Sequence, residues 1–302
     1  MARGSNPFQL ADANKRKLSK ETQRKIKELY ENVAKNLEDK LSGIDLSKRP
    51  SDSIRQYYLE YMQKEIEQQI DRLESELNST IQNSSKQSGQ LVVDAQNAVM
   101  AKAGLKLEGA YGYIPEQVVK NLLSGGLYKG NWSLSQSIWK AGSKVKSDVQ
   151  KVIAEGLAEN KSVKDIADDL VKYLRPSARK PWDWSKVYPG TTEKVDYNAQ
   201  RLARTMIQHA YQQSMLESMK YNPFCKGVIW HSVFAHGRTC QLCRDRDGVV
   251  YSLKKLPLDH PNGLCYFEPN LDDMDKIADD LADWVNGKSN KGIDEYVQHA
   301  FM

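Results

Sequence analysis

Between Ile54 and Ile81 apolar side chains return every three or four residues, through Tyr58, Met62, Ile66, Ile70, Leu73 and Leu77. Only a helix of about 3.6 residues per turn brings such positions onto one face. A stripe this long has to be covered along its length, so the chain needs a second long helix or a bundle to bury it. Leu18, Ile26, Leu29, Val33, Leu37 and Leu41 supply one, separated by Lys, Glu and Gln, which propagate helices well. Gly43 and the Arg49-Pro50-Ser51 turn divide the two stripes, and Ser51 is a good N-cap for the second. Ser84, Ser85, Ser88 and Gly89 weaken that second stripe before Leu91, Val92, Ala95, Ala98 and Val99 begin a third. The expected packing is an antiparallel helical hairpin or an extended bundle, with these residues as an apolar seam and not a ligand site.

Further along, residues 109–130 are richer in Gly and Tyr and hold a short helix, Glu116 to Leu123, ended by Gly125 and Gly126. A further amphipathic helix is expected from Ser133 to Ala158, carrying Ile138, Trp139, Val145, Val149, Val152 and Ile153. Ser162-Val163-Lys164-Asp165 then starts another with Ile166, Ala167, Leu170 and Leu174. This pair has the outline of a helix-turn-helix, but short connections are common in any bundle. Pro176, Pro181, Trp182, Trp184, Pro189 and Gly190 form an aromatic, Pro-rich linker, its tryptophans expected to pin it to a neighbour.

Charge is distributed unevenly. The chain of 302 residues has 44 Lys and Arg against 39 Asp and Glu, a net charge of +5. Residues 1–30 alone hold eight bases (Arg3, Lys15, Arg16, Lys17, Lys20, Arg24, Lys25, Lys27) against Asp12, Glu21 and Glu28. Residues 266–302 hold nine acids against Lys276, Lys288 and Lys291. A basic helical arm is either a solvated face or a surface that neutralises phosphates. The longest strictly apolar run, Ala98 to Ala101, is four residues, far below the roughly 18 that a membrane span needs, so no membrane span is expected. No apolar stretch lies behind Arg3, Gly4, Ser5 and Asn6. A secretory signal is therefore not expected, and the site of action is cytosol or a particle assembled there.

The most specific chemistry lies in the last third. A helix from about Thr192 to Lys220 leads into an alternating Val228, Trp230, Val233 stretch, then Cys240-Gln241-Leu242-Cys243, a strand near Gly248 to Tyr251, and Asp259-His260-Pro261-Asn262-Gly263-Leu264-Cys265. The spacing is C-x2-C-x16-H-x4-C. Two thiolates on a tight turn grip one ion, and a His/Cys pair across a hairpin completes a tetrahedron, the geometry of structural zinc. The expected ligands are Cys240, Cys243, His260 and Cys265, with His236 the rival nitrogen donor. A disulfide is not expected without an export signal, and the surroundings of the Cys pair do not suggest a thioredoxin-like redox motif. Cys225 has no matching partner and reads as a small buried hydrophobe.

The sequence resembles the phage head morphogenesis family of minor head proteins, the Mu F-like group. The resemblance rests on Arg201-Leu202-Ala203-Arg204-Thr205 on a helix; on Trp230 followed by Arg238-Thr239-Cys240-x2-Cys243 with Asp247-Gly248; and on His260-Pro261 before Cys265. It covers residues 190–267 well and the helix pair from Gly156 to Leu174 loosely. Many members end the motif His-Pro-x-Cys-Arg-Cys, where this chain has Asn262, Gly263 and Leu264 before a single Cys265. Their acidic residue before the Arg-Thr-Cys element is here Ala235 or His236. The resemblance implies a non-enzymatic, low-copy virion protein inside the head near the portal, present in host cytoplasm during assembly. It implies as partners the portal protein, scaffolding or major capsid protein, and phage double-stranded DNA bound without sequence preference, with a role in head assembly, DNA packaging or genome ejection.

Lys15, Arg16, Lys17, Lys20, Arg24, Lys25 and Lys27 are the expected DNA contacts. Two alternatives compete: a metal-dependent HNH-like nuclease, since Asp259-His260 stands beside Cys pairs, and a structural adaptor that never touches DNA. The expected fold is mainly α: a long N-terminal helical hairpin or bundle, then a small α+β C-terminal module with a Cys/His metal site. Its expected regions are 1–108 with the basic arm, 109–190 with the Pro/Trp linker, and 191–302, head-morphogenesis-like, with the zinc-type site and acidic tail.

Overall fold

The computed structural model describes residues 6–42, 52–124, 143–153, 156, 159, 161–175, 196–234 and 239–302. The Gly43 and 49–51 turn, Gly125 and Gly126, the start of the helix expected from Ser133, the Pro/Trp linker with Trp182 and Trp184, and His236 and Arg238 lie outside them. The fold is mainly α, with one small antiparallel sheet near the C-terminus. Helices α1 (Pro7–Ser42), α2 (Asp52–Lys102), α3 (Ile114–Ser124), α4 (143–153), α5 (Val163–Leu174) and α6 (Tyr197–Met219) precede strand β1 (Cys225–His231). Helix α7 (Gln241–Arg246), β2 (Val250–Tyr251), β3 (Tyr266–Leu271), α8 (Met274–Val285) and α9 (Lys291–His299) follow. No helix among the described residues is long and apolar enough to cross a membrane. The chain forms two compact units, each assembled from separate stretches: Met1–Glu21, Gln82–Asn131 and Ala203–Met302 in the first, Thr22–Ile81 and Trp132–Leu202 in the second.

In the second unit the two apolar stripes meet. Asn36 on α1 faces Gln69 on α2, and Lys40 pairs with Glu65. One index rises as the other falls, so the helices run antiparallel. Their seam buries Ile26, Tyr30, Val33 and Leu37 against Met62, Ile66, Ile70, Leu73 and Leu77, each such side chain being worth about 1.5–3 kcal/mol. Lys146 on α4 reaches Asp71 at 2.6 Å. Tyr173 on α5 donates to the buried Asp148 carboxylate at 2.9 Å. Helix α5 starts on the expected capping box: Asp165 N–H donates to Ser162 Oγ (3.1 Å) and Ser162 N–H to Asp165 Oδ2 (3.3 Å), which satisfies donors the first turn cannot.

In the first unit α2 continues where the sequence suggested a weakening. Helix α2 is unbroken from Asp52 to Lys102. Ser84, Ser85 and Ser88 are buried in it. Ser88 Oγ donates to the Ile207 carbonyl at 2.9 Å, and a Cβ on Gly89 would stand 2.4 Å from Ser214 Oγ. These small residues let α2 and α6 approach closely, so they belong to the packing face and not to a break. The core beside them holds Val92, Val99, Tyr211, Met215, Trp230 and Phe267, with Phe8 and Ala11 of α1 packed in.

The three strands lie in the order β2-β1-β3. Val228 pairs with Tyr251 on one side of β1, and Trp230 with Phe267 on the other. At the C-terminus, Tyr111 ties down α9: its N–H donates to the Ala300 carbonyl (2.6 Å) and its hydroxyl to that of Tyr296 (2.7 Å). These bonds hold Tyr111 at φ 61, a conformation a bulky residue adopts only when its surroundings impose it.

Candidate metal centre

Cys240 is the N-cap of α7 and Cys243 stands in its first turn, so the C-x2-C spacing turns both sulfurs to one end of a short helix. The turn is fastened to the sheet. Ser232 N–H donates to Asp247 Oδ1 (2.7 Å), Gly248 N–H to the Trp230 carbonyl (2.8 Å), and Thr239 Oγ1 to the Val233 carbonyl (2.7 Å). Beneath it Trp230 is fully buried, edge-on to Phe267 with ring centres 4.9 Å apart, and the Arg246 guanidinium covers its ring at 4.8 Å. Cys265 immediately precedes β3, whose pairing with β1 brings it to the same place.

The loop carrying His260 is held by one polar face of α6. Gln212 accepts from Asp259 N–H (3.0 Å) and donates to the Pro257 carbonyl (2.6 Å). His209 Nε2 donates to the Asp259 carbonyl at 2.9 Å. Gln208 donates to Asp259 Oδ2 at 2.9 Å and to the Cys265 carbonyl, and Thr205 Oγ1 accepts from Asn262 N–H at 2.9 Å. Thr205, Gln208, His209 and Gln212 are all buried, at steps of three, one and three. The sequence reading named Thr205 only within the resemblance and passed over Gln208, His209 and Gln212; the available signal was their recurrence with Thr205 at i, i+3, i+4, i+7, which puts all four on one helix face.

The expected ligand residues converge. The donor atoms of Cys240, Cys243 and His260 lie within 4.8 Å of one another, as do those of Cys243, Asp259 and Cys265. All the cysteines are free, and the Cys243 and Cys265 sulfurs are 3.5 Å apart. His260 Nδ1 donates to the Pro261 carbonyl at 3.0 Å, which leaves Nε2 with the lone pair a metal needs. The Asp259 carboxylate is already engaged, Oδ1 by His260 N–H (2.8 Å) and Oδ2 by Gln208. His236 lies outside the described residues.

Burial sets the acidity of the thiols. Burial pushes the Cys243 thiol well up, reinforced by its neighbours Cys240 and Cys265; burial and Asp259 raise Cys265. Only Cys240, which is exposed at the helix start beside the Cys243 backbone, is lowered. Buried thiols of this kind ionise when a metal takes up the charge. The group could therefore hold a metal ion. Cys225 is half-buried against the core, and burial raises its thiol.

The basic residues of α1 divide. Lys15 is buried, 2.8 Å from Asp12, 3.3 Å from the Cys265 carbonyl and 4.5 Å above the Tyr211 ring. It is thus no part of a solvated basic face, because its neighbours supply the carboxylate, carbonyl and ring that an interior ammonium requires. Arg16 is half-exposed and binds Asp12 at 2.7 Å. Lys17, Lys20, Arg24, Lys25 and Lys27 are exposed, with Glu21 facing Lys17 and Glu28 facing Arg24. No protein-family model, curated protein or solved structure matches this chain.

Proposed function

We propose that this chain is a minor head protein of a tailed phage, seated inside the head near the portal. It contacts the portal protein, scaffolding or major capsid protein, and double-stranded DNA, without being an enzyme. One observation carries the reading. Described residues from each of the three sequence pieces behind the resemblance meet in the first unit: Thr205 accepts from Asn262 N–H, Trp230 and Cys243 share one core cluster, and Cys265 meets Cys243. The metal proposed for the centre is zinc, because three soft thiolates and one imidazole suit it. A site with four protein ligands leaves no open position, so its work is to hold loops.

Lys17, Lys20, Arg24 and Lys27 recur at steps of three and four along one exposed stripe, about 15 Å long at 1.5 Å per residue. A stripe of this kind suits phosphates and not base edges, which makes binding nonspecific and salt-sensitive. The adaptor that never touches DNA is the second reading, favoured by the burial of Lys15 and by the acids opposite Lys17 and Arg24. The protein inventory of purified virions and procapsids tests the assignment, and absence from both overturns it. Duplex retardation at low salt separates the two readings. Nicking of supercoiled plasmid with magnesium or manganese would replace both with the nuclease.

A further inference from the structure

Lys15 is the only lysine or arginine buried among the described residues, and it is buried at the metal centre. It stands on the part of α1 that belongs to the first unit, together with Phe8, Ala11 and Asp12. Phe8 and Ala11 pack into the same cluster as Cys243 and Cys265. The Lys15 ammonium donates to the backbone carbonyl of Cys265, itself an expected ligand, and rests on the ring of Tyr211 one helical step beyond Gln208.

Charge gives this arrangement a direction. Asp12 is shared between Lys15 and Arg16, so this patch of α1 carries two cations against one carboxylate. Loading a divalent ion on three thiols releases three protons and adds two positive charges, making the centre more negative by one. An unbalanced buried charge is strongly unfavourable, and an opposite charge held at hydrogen-bond range is what relieves it. The positive patch of α1 is therefore held more firmly against a loaded centre than against an empty one.

We propose that Lys15 is the charge-balancing residue of the metal centre, and that metal binding and the seating of residues 6–21 on the C-terminal module are one coupled event. The coupling rests on the metal reading above. It makes the ion a clasp for the start of the basic helix: loaded, the segment is fastened; stripped, its polar anchor is weakened. Linkage is reciprocal, so removing the Lys15 charge must in turn weaken metal binding.

The test uses the full chain. Zinc affinity is measured by competition with a chromophoric chelator for wild type, Lys15→Met, Lys15→Arg and the exposed control Lys17→Met. Hydrogen exchange across α1 is read with zinc and after chelation. Lys15→Met is expected to bind zinc roughly 10-fold or more weakly, the scale seen when a group supporting a metal ligand is removed, with Lys15→Arg intermediate and Lys17→Met unchanged. In the wild type, chelation is expected to speed exchange in residues 8–20 by more than in 26–38. Equal zinc affinity in Lys15→Met, or exchange in 8–20 that ignores zinc, overturns the coupling alone. A wild-type chain that takes up no zinc overturns the metal centre as well.

Discussion

The sulfur atoms of Cys243 and Cys265, 22 residues apart in sequence, stand 3.5 Å from one another. That is far beyond a disulfide of about 2.05 Å. It is close to the roughly 3.8 Å that two thiolates take on one tetrahedral zinc with bonds of about 2.3 Å. The stretch from α7 through β2 to β3, whose two strands flank β1 on opposite sides, brings the two sulfurs to about the span of an ion, and the face of α6 that grips the intervening loop holds it there.

If that ion is zinc, elemental analysis of the purified protein is expected to find about one per chain. Cys243→Ser and Cys265→Ser are expected to lose it together with several kcal/mol of stability, since structural metal binding is folding free energy. Cys225→Ser, away from the group, should keep both the metal and the melting behaviour. Equal metal content in all three variants would argue against the assigned ligands.

Gly263 is expected to tolerate no side chain. A Cβ there would stand 2.1 Å from Asp259 Oδ2 and 2.4 Å from its Cγ, and that carboxylate cannot swing away from Gln208 and His260 N–H without breaking both bonds. Gly263→Ala should destabilise by about 1–3 kcal/mol, the usual scale of overpacking. Urea unfolding at saturating zinc measures it.

His209 makes the module acid-sensitive. Burial lowers its ring from 6.5 to about 4, against the opposing pull of the Asp259 carbonyl. An unfolded chain takes up the proton first, so stability is full above pH 6.5 and falls as the pH drops towards 4. Between pH 7 and 5 the wild type should lose roughly 2 kcal/mol more than His209→Gln. That variant keeps a donor for the carbonyl and does not titrate. Denaturant melts at the two pH values, with zinc saturating, read the difference; identical losses would remove His209 from the account.

For DNA, the combined variant Lys20→Glu, Arg24→Glu, Lys27→Glu is expected to weaken duplex binding. It should also flatten the plot of log affinity against log salt by roughly 0.9 for each phosphate that is no longer neutralised. Lys288→Glu in the acidic tail serves as the control. Fluorescence anisotropy across a salt series checks it, and an unchanged slope would move the DNA surface off α1.

At the start of α5, Ser162→Ala removes the oxygen that accepts from Asp165 N–H. The expected loss is about 1 kcal/mol, seen in thermal unfolding. Ser162→Asp, which caps equally well, should restore most of it.

Local rules account for what was legible in the sequence. A spacing of three and four from Ile54 to Ile81 can be satisfied only by a helix, so the α1/α2 seam was readable from periodicity alone. The Ser162/Asp165 capping box and the C-x2-C turn are equally local, because each is complete within four residues. Spacing also named Cys240, Cys243, His260 and Cys265, since metal geometry restricts which residue types can share an ion. Tertiary structure decided the rest. Whether Ser84 to Gly89 ends a helix or lets another approach depends on Ser214 lying opposite. Whether Lys15 is a solvated base or an interior ammonium depends on Asp12, Tyr211 and Cys265 converging on it. The polar face Thr205, Gln208, His209 and Gln212 acquires its meaning only from the loop it holds. Periodicity along one chain fixes which residues share a face, whereas burial and polar satisfaction depend on what is packed against that face.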